Sequence, residues 1–196
     1  MEKKLEVVAI IKNGIELGMK NLVPILVNAL LWVLTIWIPY INIGTTIGLA
    51  IGIVSKVSRG ETISMTEIFD PKYRKYMGEF FLTGGLVMVG VGFGYALFII
   101  PGLVISIAWC FATLLAVDKG KNPTDAITTS NEVTYGNKGT MFLAYLVLVV
   151  AVCILSAIFN FIPVIGGLLV LAVSVATIFV AIGMQAYCYK ELCGAA

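Results

Sequence analysis

The twenty-four charged side chains of this chain fall into four short clusters, and the stretches between them, Asn21 to Ser55, Phe80 to Val117 and Gly139 to Tyr189, carry no charge at all. A helix needs about 20 apolar residues to cross the hydrocarbon core of a bilayer. The charge-free stretches are 35, 38 and 51 residues long, so each exceeds one crossing and suits two. The pattern predicts an all-α membrane protein: six transmembrane helices arranged as three helical hairpins, with amphipathic surface helices on the cytoplasmic side. Composition agrees, since 60% of residues are hydrophobic, mean hydropathy is +1.01 and only 12% are charged, against about 25% in a soluble domain. A net charge of +2 with interleaved acids and bases gives no basic patch for nucleic acid.

Breaker residues locate the turns, because backbone that leaves the helix must do so where its polar groups can be satisfied. The first stretch breaks at Pro39 to Gly44, the second at Pro101 and Gly102, and the third from Phe161 through Pro163 and Val164 to Gly167. Spans are expected at about 21–39, 43–58, 80–100, 102–118, 139–161 and 166–188. The chain thus reads as one polytopic domain over 1–196: interfacial helix 1–20, hairpin 21–58, cytoplasmic segment 59–79, hairpin 80–118, cytoplasmic surface helix 119–138 and hairpin 139–189. All thirteen basic residues, from Lys3 and Lys4 to Lys190, fall on one side of this arrangement. By the positive-inside rule that side is cytoplasmic, which places both termini there and the protein in the cell (inner) membrane as a multi-pass protein. No small-residue cleavage site follows a short apolar core near the N-terminus, so no cleavable signal peptide is expected.

The polar clusters carry helical patterns of their own. Leu5, Val8, Ile11, Ile15 and Met19 form an apolar stripe beside the charge ladder Lys12, Glu16, Lys20, as in a helix lying in the membrane interface. In the third cluster Asn122 suits an N-cap, Pro123 the first helical position, Asp125 the capping return and Gly136 the end. Asn13, Gly18 and Lys20 match Asn131, Gly136 and Lys138 in order, which together with the repeated Ile-Pro-x-Ile turn suggests units of surface helix plus hairpin. Chance in low-diversity membrane sequence is the simpler source of such a match. Trp32, Trp37, Tyr40, Tyr73, Tyr76, Tyr135 and Tyr187 cluster near span ends as interfacial anchors do. Trp109, mid-span, is expected inside the bundle.

Candidates for chemistry are few. The chain has no histidine, and no span contains an ionisable carboxylate or cation of the sort that proton relays and coupled pumps use. No pair among Cys110, Cys153, Cys188 and Cys193 has metal-site or redox spacing. No catalytic, cofactor or metal residues are assigned, and the reading is not an enzyme. Intramembrane polar residues remain, chiefly Asn28 and Gln185 with Thr113, Ser156 and Asn160. Their ordinary use is interhelical hydrogen bonding, and their alternative use is to line a solute path. The four-residue repeats Gly44, Gly48, Gly52 and Gly90, Gly94 mark close-packing faces, within the bundle or between copies.

The run Ile100, Pro101, Gly102, followed by Trp109, Asp118, Gly120, Pro123, Ala126, Ile127, Ser130, Val133 and Gly136, resembles the signature of a YciC-like family of prokaryotic integral membrane proteins. Relatives of that family include the membrane domain joined to some glycerophosphodiester phosphodiesterases. The resemblance extends to the N-terminal helix and to Gly60, Glu61, Ser64, Ile68 and Phe69. It implies six helices and cytoplasmic termini, with no established activity. The helix from Pro123 to Gly136 lacks the arginines that such relatives often carry. The expected function is a membrane scaffold or accessory protein whose partners are lipid, a second copy or another membrane protein. The competing expectation is a channel, exporter or carrier for a small neutral or apolar solute.

Overall fold

A computed structural model describes residues 4–163 and 165–194; Lys3 and Val164, named above, lie outside that range. Among the described residues the secondary structure is entirely helical. Helix α1 (Val7–Lys20) meets α2 (Leu22–Thr35) at a 70° bend. Then come α3 (Pro39–Ile47) and α4 (Ile53–Arg59), continuous through a π-helical turn at Gly48–Gly52, and the short α5 (Lys72–Lys75). The rest comprises α6 (Met77–Leu97), α7 (Ile99–Ala108), α8 (Ala112–Asp118), α9 (Pro123–Thr134), α10 (Lys138–Asn160) and α11 (Gly166–Cys193). Among the described residues, five continuous stretches are long and apolar enough to cross a membrane, and a sixth counts only if the bent pair α1 and α2 is one span.

Two of the three turn prolines fall in the first turn of a helix, whereas Pro163 stays in the turn before α11. Pro39 occupies the first position of α3, because its fixed φ suits N1 and its missing N–H costs nothing there. The expected second span therefore starts four residues early, and Pro39–Arg59 runs 21 residues. In the second hairpin the corner is the single extended residue Phe98 (φ −161°, ψ 159°). Pro101 sits in the first turn of α7, and Gly102 lies inside that helix against the ring of Tyr95. The fourth expected span is real in length, Ile99–Asp118, but breaks between α7 and α8 at Trp109 to Phe111. Gly90 of α6 leaves room there for the Trp109 ring, and Gly94 lies against Gly102 and Ile105, so this glycine pair packs one hairpin internally.

The face of α1 that packs against the fold is distinct from the stripe expected at the membrane surface. Ile10, Gly14 and Gly18 are buried, whereas Val8, Ile15 and Met19 stay exposed. A Cβ on Gly14 would strike Met184, one on Gly18 the backbone of Phe179, and one on Gly183 the carbonyl of Gly14. Helices α1 and α11 thus run antiparallel in backbone contact, the small-residue packing that membrane helices favour. Small side chains, invisible to a search for large apolar ones, decide the face.

The buried core sits at one end of the molecule. Ile10, Ile25, Ile47, Ile53, Val57, Phe111, Leu114, Leu115, Met184 and Tyr189 are its centre. Among the described residues, α6 and α7 supply none of that cluster and α10 supplies only Met141 and Ala144. Their outer surfaces are apolar and exposed, with Met88, Phe93, Phe98, Ile100, Ile154 and Phe161 among the largest side chains. An apolar surface this continuous suits hydrocarbon as its solvent.

Candidate functional site

The polar end of the core is organised by the segment between α4 and α6. Helix α4 stops at Gly60, whose φ of +71° admits glycine at no steric cost. Gly60 N donates to Val57 O (3.1 Å) and Glu61 N to Lys56 O (3.0 Å), the paired bonds of a Schellman end. The chain reverses and runs back along the helix it has just left. The glycine repeat there is its groove: Gly44 lies under the stem of Arg74, Gly48 under the Ile68 backbone, and Gly48 and Gly52 under the Tyr73 ring. A face that the sequence offered for oligomerisation is thereby covered from within the chain.

Asn28 is the clamp. Fully buried in α2, it donates from Nδ2 to Pro24 O and Ser64 O (both 2.8 Å) and accepts at Oδ1 from Ile68 N (3.1 Å). An amide in a helix has more hydrogen-bonding groups than its own backbone satisfies, and the returning segment takes the remainder. Glu67, 4% exposed, accepts from Lys56 Nζ (2.7 Å), Tyr73 OH (2.7 Å) and Lys72 Nζ (3.1 Å). Burial alone would raise this carboxyl, but the three donors outweigh it and hold its pKa down to about 2. Burial and the neighbouring Glu67 carboxylate push the Tyr73 phenol up from its usual value. Tyr73, expected as an interfacial anchor, is therefore a buried donor.

A second knot joins three helices. Arg59 donates from Nε to Glu61 (2.5 Å), from Nη1 to Asp118 (2.7 Å) and from Nη2 to Ser55 Oγ (3.3 Å). The second Asp118 oxygen accepts from Tyr189 OH (3.0 Å). Between the two knots lies a cavity of about 310 Å³ lined by Ser55, Arg59, Lys72, Tyr73, Tyr76 and Asp118, with Ile51, Gly52 and Val117. Its cations are already neutralised, Arg59 by Glu61 and Asp118 and Lys72 by Glu67 and Asp70. The arrangement is built to hold elements together. No group of metal-ligating side chains occurs among the described residues.

Other sequence candidates are scattered. Gln185 lines a separate cavity of about 150 Å³ with Ser106, Cys110, Phe111, Met141 and Tyr145. Asn160 donates to Ser156 O (2.9 Å) and Ser106 to Gly102 O (2.8 Å), each within its own helix. Thr113 turns its methyl toward Gly84. Thr83 is buried with its hydroxyl unpartnered. In α9, Asn122 and Pro123 take the expected N-cap and first positions. Asn122 makes no cap bond and donates instead to the Asp125 side chain (3.3 Å). Ala126 is buried, and Gly136 ends the unit at φ +76°, whereas Gly18, its counterpart in the proposed repeat, is a helical packing residue. Sequence reasoning places Ser130 on the less polar face of α9 and in the motif, with no partner assigned. Its Oγ donates to Ala108 O (2.8 Å) and accepts from Phe111 N (3.2 Å), which closes the break between α7 and α8. Ser at that position in an otherwise apolar helix face was the available signal.

No known family profile matches the chain, and no solved structure matches it. It is 28% identical over 138 residues to the uncharacterized protein Rv2560 of Mycobacterium tuberculosis (strain ATCC 25618 / H37Rv), a match covering 70% of this chain and 38% of that protein. The uncharacterized protein Mb2590 of Mycobacterium bovis is similar to the same extent. The chain therefore spans well under half the length of these relatives.

Proposed function

We propose that this chain is a non-enzymatic accessory or scaffold protein of the cell membrane, with its charged end and both termini at the cytoplasmic face, acting through contacts with lipid, a second copy or another membrane protein. One observation carries this reading. Several of the polar groups that a solute path would use are engaged within the fold: Asn28 makes three bonds to backbone, and Asn160, Ser174 and Thr177 bond their own helices. The residues that resemble a YciC-like signature serve packing, since Ser130 closes a helix break and Gly102 admits Tyr95. The half-buried Gln185 cavity, with Ser106 and Tyr145 on its wall, is the feature that favours a carrier for a small neutral solute. Liposome flux separates the two: an accessory protein leaves glycerol and urea permeability at the level of empty vesicles. Flux abolished by Gln185→Leu, with the fold intact, would establish the carrier.

A further inference from the structure

We propose that the first hairpin does not cross the bilayer. Helices α2, α3 and α4 form a wedge seated in the leaflet on the charged side, with the acyl chains of that leaflet as the partner of its apolar face. This placement goes beyond the accessory reading and stands or falls separately from it.

Three observations fix the depth. The guanidinium of Arg74 lies 5.2 Å from the centre of the Tyr40 ring, and Tyr40 is the second residue of α3, at what the sequence presents as the far turn. Arg74 belongs to the charged end, because Tyr76, two residues on, lines the same cavity as Arg59 and Asp118. Thr113 of α8, five residues from Asp118, faces Gly84 of α6, which places the start of α6 at that end as well. Tyr40 at one end of Pro39–Arg59 and Arg59 at the other are thus both in contact with charged groups of one face. The helix between them rises about 28 Å, so it lies along that face.

The alternative would carry the segment through the membrane. Asp70, Lys72, Arg74 and Lys75 are near or above a third exposed, and each charge at the bilayer centre costs at least about 2.5 kcal/mol. Length points the same way. Helix α2 has 14 residues and rises about 21 Å, short of the roughly 30 Å hydrocarbon core. Its exposed side chains include Val23, Leu26, Leu30, Val33, Leu34 and, just beyond, Trp37. They form the surface that enters the leaflet, and the exposed cations Lys72, Arg74 and Lys75 meet its headgroups. The chain then crosses the bilayer completely at most four times.

The test uses single cysteines in a cysteine-free background, with Tyr40→Cys, Lys75→Cys and Phe161→Cys probed by a membrane-impermeant maleimide in spheroplasts and in inverted vesicles. The wedge predicts that Tyr40→Cys reacts from the same side as Lys75→Cys, opposite to Phe161→Cys. Reaction of Tyr40→Cys from the Phe161 side overturns it. A background that keeps Cys110 and Cys188 serves if the full replacement fails to fold. If position 40 resists the reagent from both sides, membrane-permeant copper phenanthroline is used to join the Tyr40→Cys, Arg74→Cys pair by a disulfide. Cross-linking, with Arg74→Cys alone reactive from the Lys75 side, sustains the proposal; no cross-link overturns it.

Discussion

Around Phe111 and Tyr189 side chains from α4, α8, α9 and α11 close on one another, whereas α10 beyond Ala144 and α11 before Phe179 contain only one buried residue, Gly166. Both regions are apolar, so hydrophobicity does not distinguish them. The difference lies in what completes the packing. At the charged end, glycine contacts, ion pairs and an asparagine clamp fit protein to protein. Along the arms the fold leaves the apolar side chains exposed, and such a surface tolerates almost any apolar shape. Substitutions of the same kind should therefore have unequal effects at the two ends.

Glycine gives the largest contrast. Gly183→Leu drives a side chain into the Gly14 carbonyl, which belongs to backbone and cannot swing away. Overpacking ordinarily costs about 1–3 kcal/mol; here separation of α1 from α11 is expected, at about 3 kcal/mol or more. Gly92→Leu and Gly167→Leu meet nothing within 4 Å and should change stability by less than about 0.5 kcal/mol. Thermal unfolding in one detergent, with gel-filtration monodispersity, checks all three. Equal losses at Gly183 and Gly92 would erase the distinction between the ends.

Glu67 comes next, because its donors converge from α4 and from its own segment. Glu67→Ala leaves Lys56 Nζ and Tyr73 OH without their acceptor, and about 2–3 kcal/mol should be lost, below the roughly 3–5 of a fully buried pair because Lys72 is nearly half exposed. The same carboxyl gives a pH signature. Its folded pKa of about 2 lies below its ordinary 4.5, so its stabilisation is complete above pH 4.5 and is lost as pH falls from there toward 2. An acid limb that survives unchanged in Glu67→Gln would assign that loss to other groups.

These examples also show what was legible beforehand. Charge-free length announced a helical membrane protein, since the bilayer constrains every residue of a span in the same direction. Turn residues fall within a few positions of the corners, but Pro39 and Pro101 look like turn interiors in the sequence, although Pro39 begins α3 and Pro101 lies in the first turn of α7. A proline can close the helix before it or open the helix after it, and spacing alone does not choose. Asn28 stands out in the sequence as an amide in need of partners. Its partners, Ser64 and Ile68, are 36 and 40 residues away in a segment that looked like an aqueous loop. That a charged segment folds back onto a glycine face is a long-range fact with no local periodicity to reveal it. The same holds for Arg59 and Asp118, 59 residues apart.

Asn28 and Asn160 sharpen the comparison with one residue type. Asn28→Leu strands the Ile68 N–H and the Ser64 carbonyl, and an unmet buried group costs about 1–3 kcal/mol, so a loss near 2 is expected. Asn160→Leu removes a bond to its own helix at an exposed position and should be within about 0.5 kcal/mol of the parent. Hydrogen exchange adds a local readout. The amide of Ile68 should lose protection in Asn28→Leu before the amides of α11 do.

The smallest effect concerns Ser130, and it bears on how the second hairpin is held. Its hydroxyl both donates to Ala108 O and accepts from Phe111 N, so Ser130→Ala frees an acceptor and a donor together. Part of that loss is recovered, because Thr134 also reaches Ala108 O (3.4 Å) and can shorten that bond. The expected net cost is about 1 kcal/mol, rising when Thr134→Val is added by more than the two single changes sum to, since both hydroxyls serve one carbonyl. In the arm, Ser174 donates only to Val170 O of its own helix (2.9 Å), an acceptor already engaged in the helical ladder, and Ser174→Ala should be silent. A double-mutant cycle with additive costs at Ser130 and Thr134 would mean that the break between α7 and α8 holds itself, and that α9 rests on it for apolar contact alone.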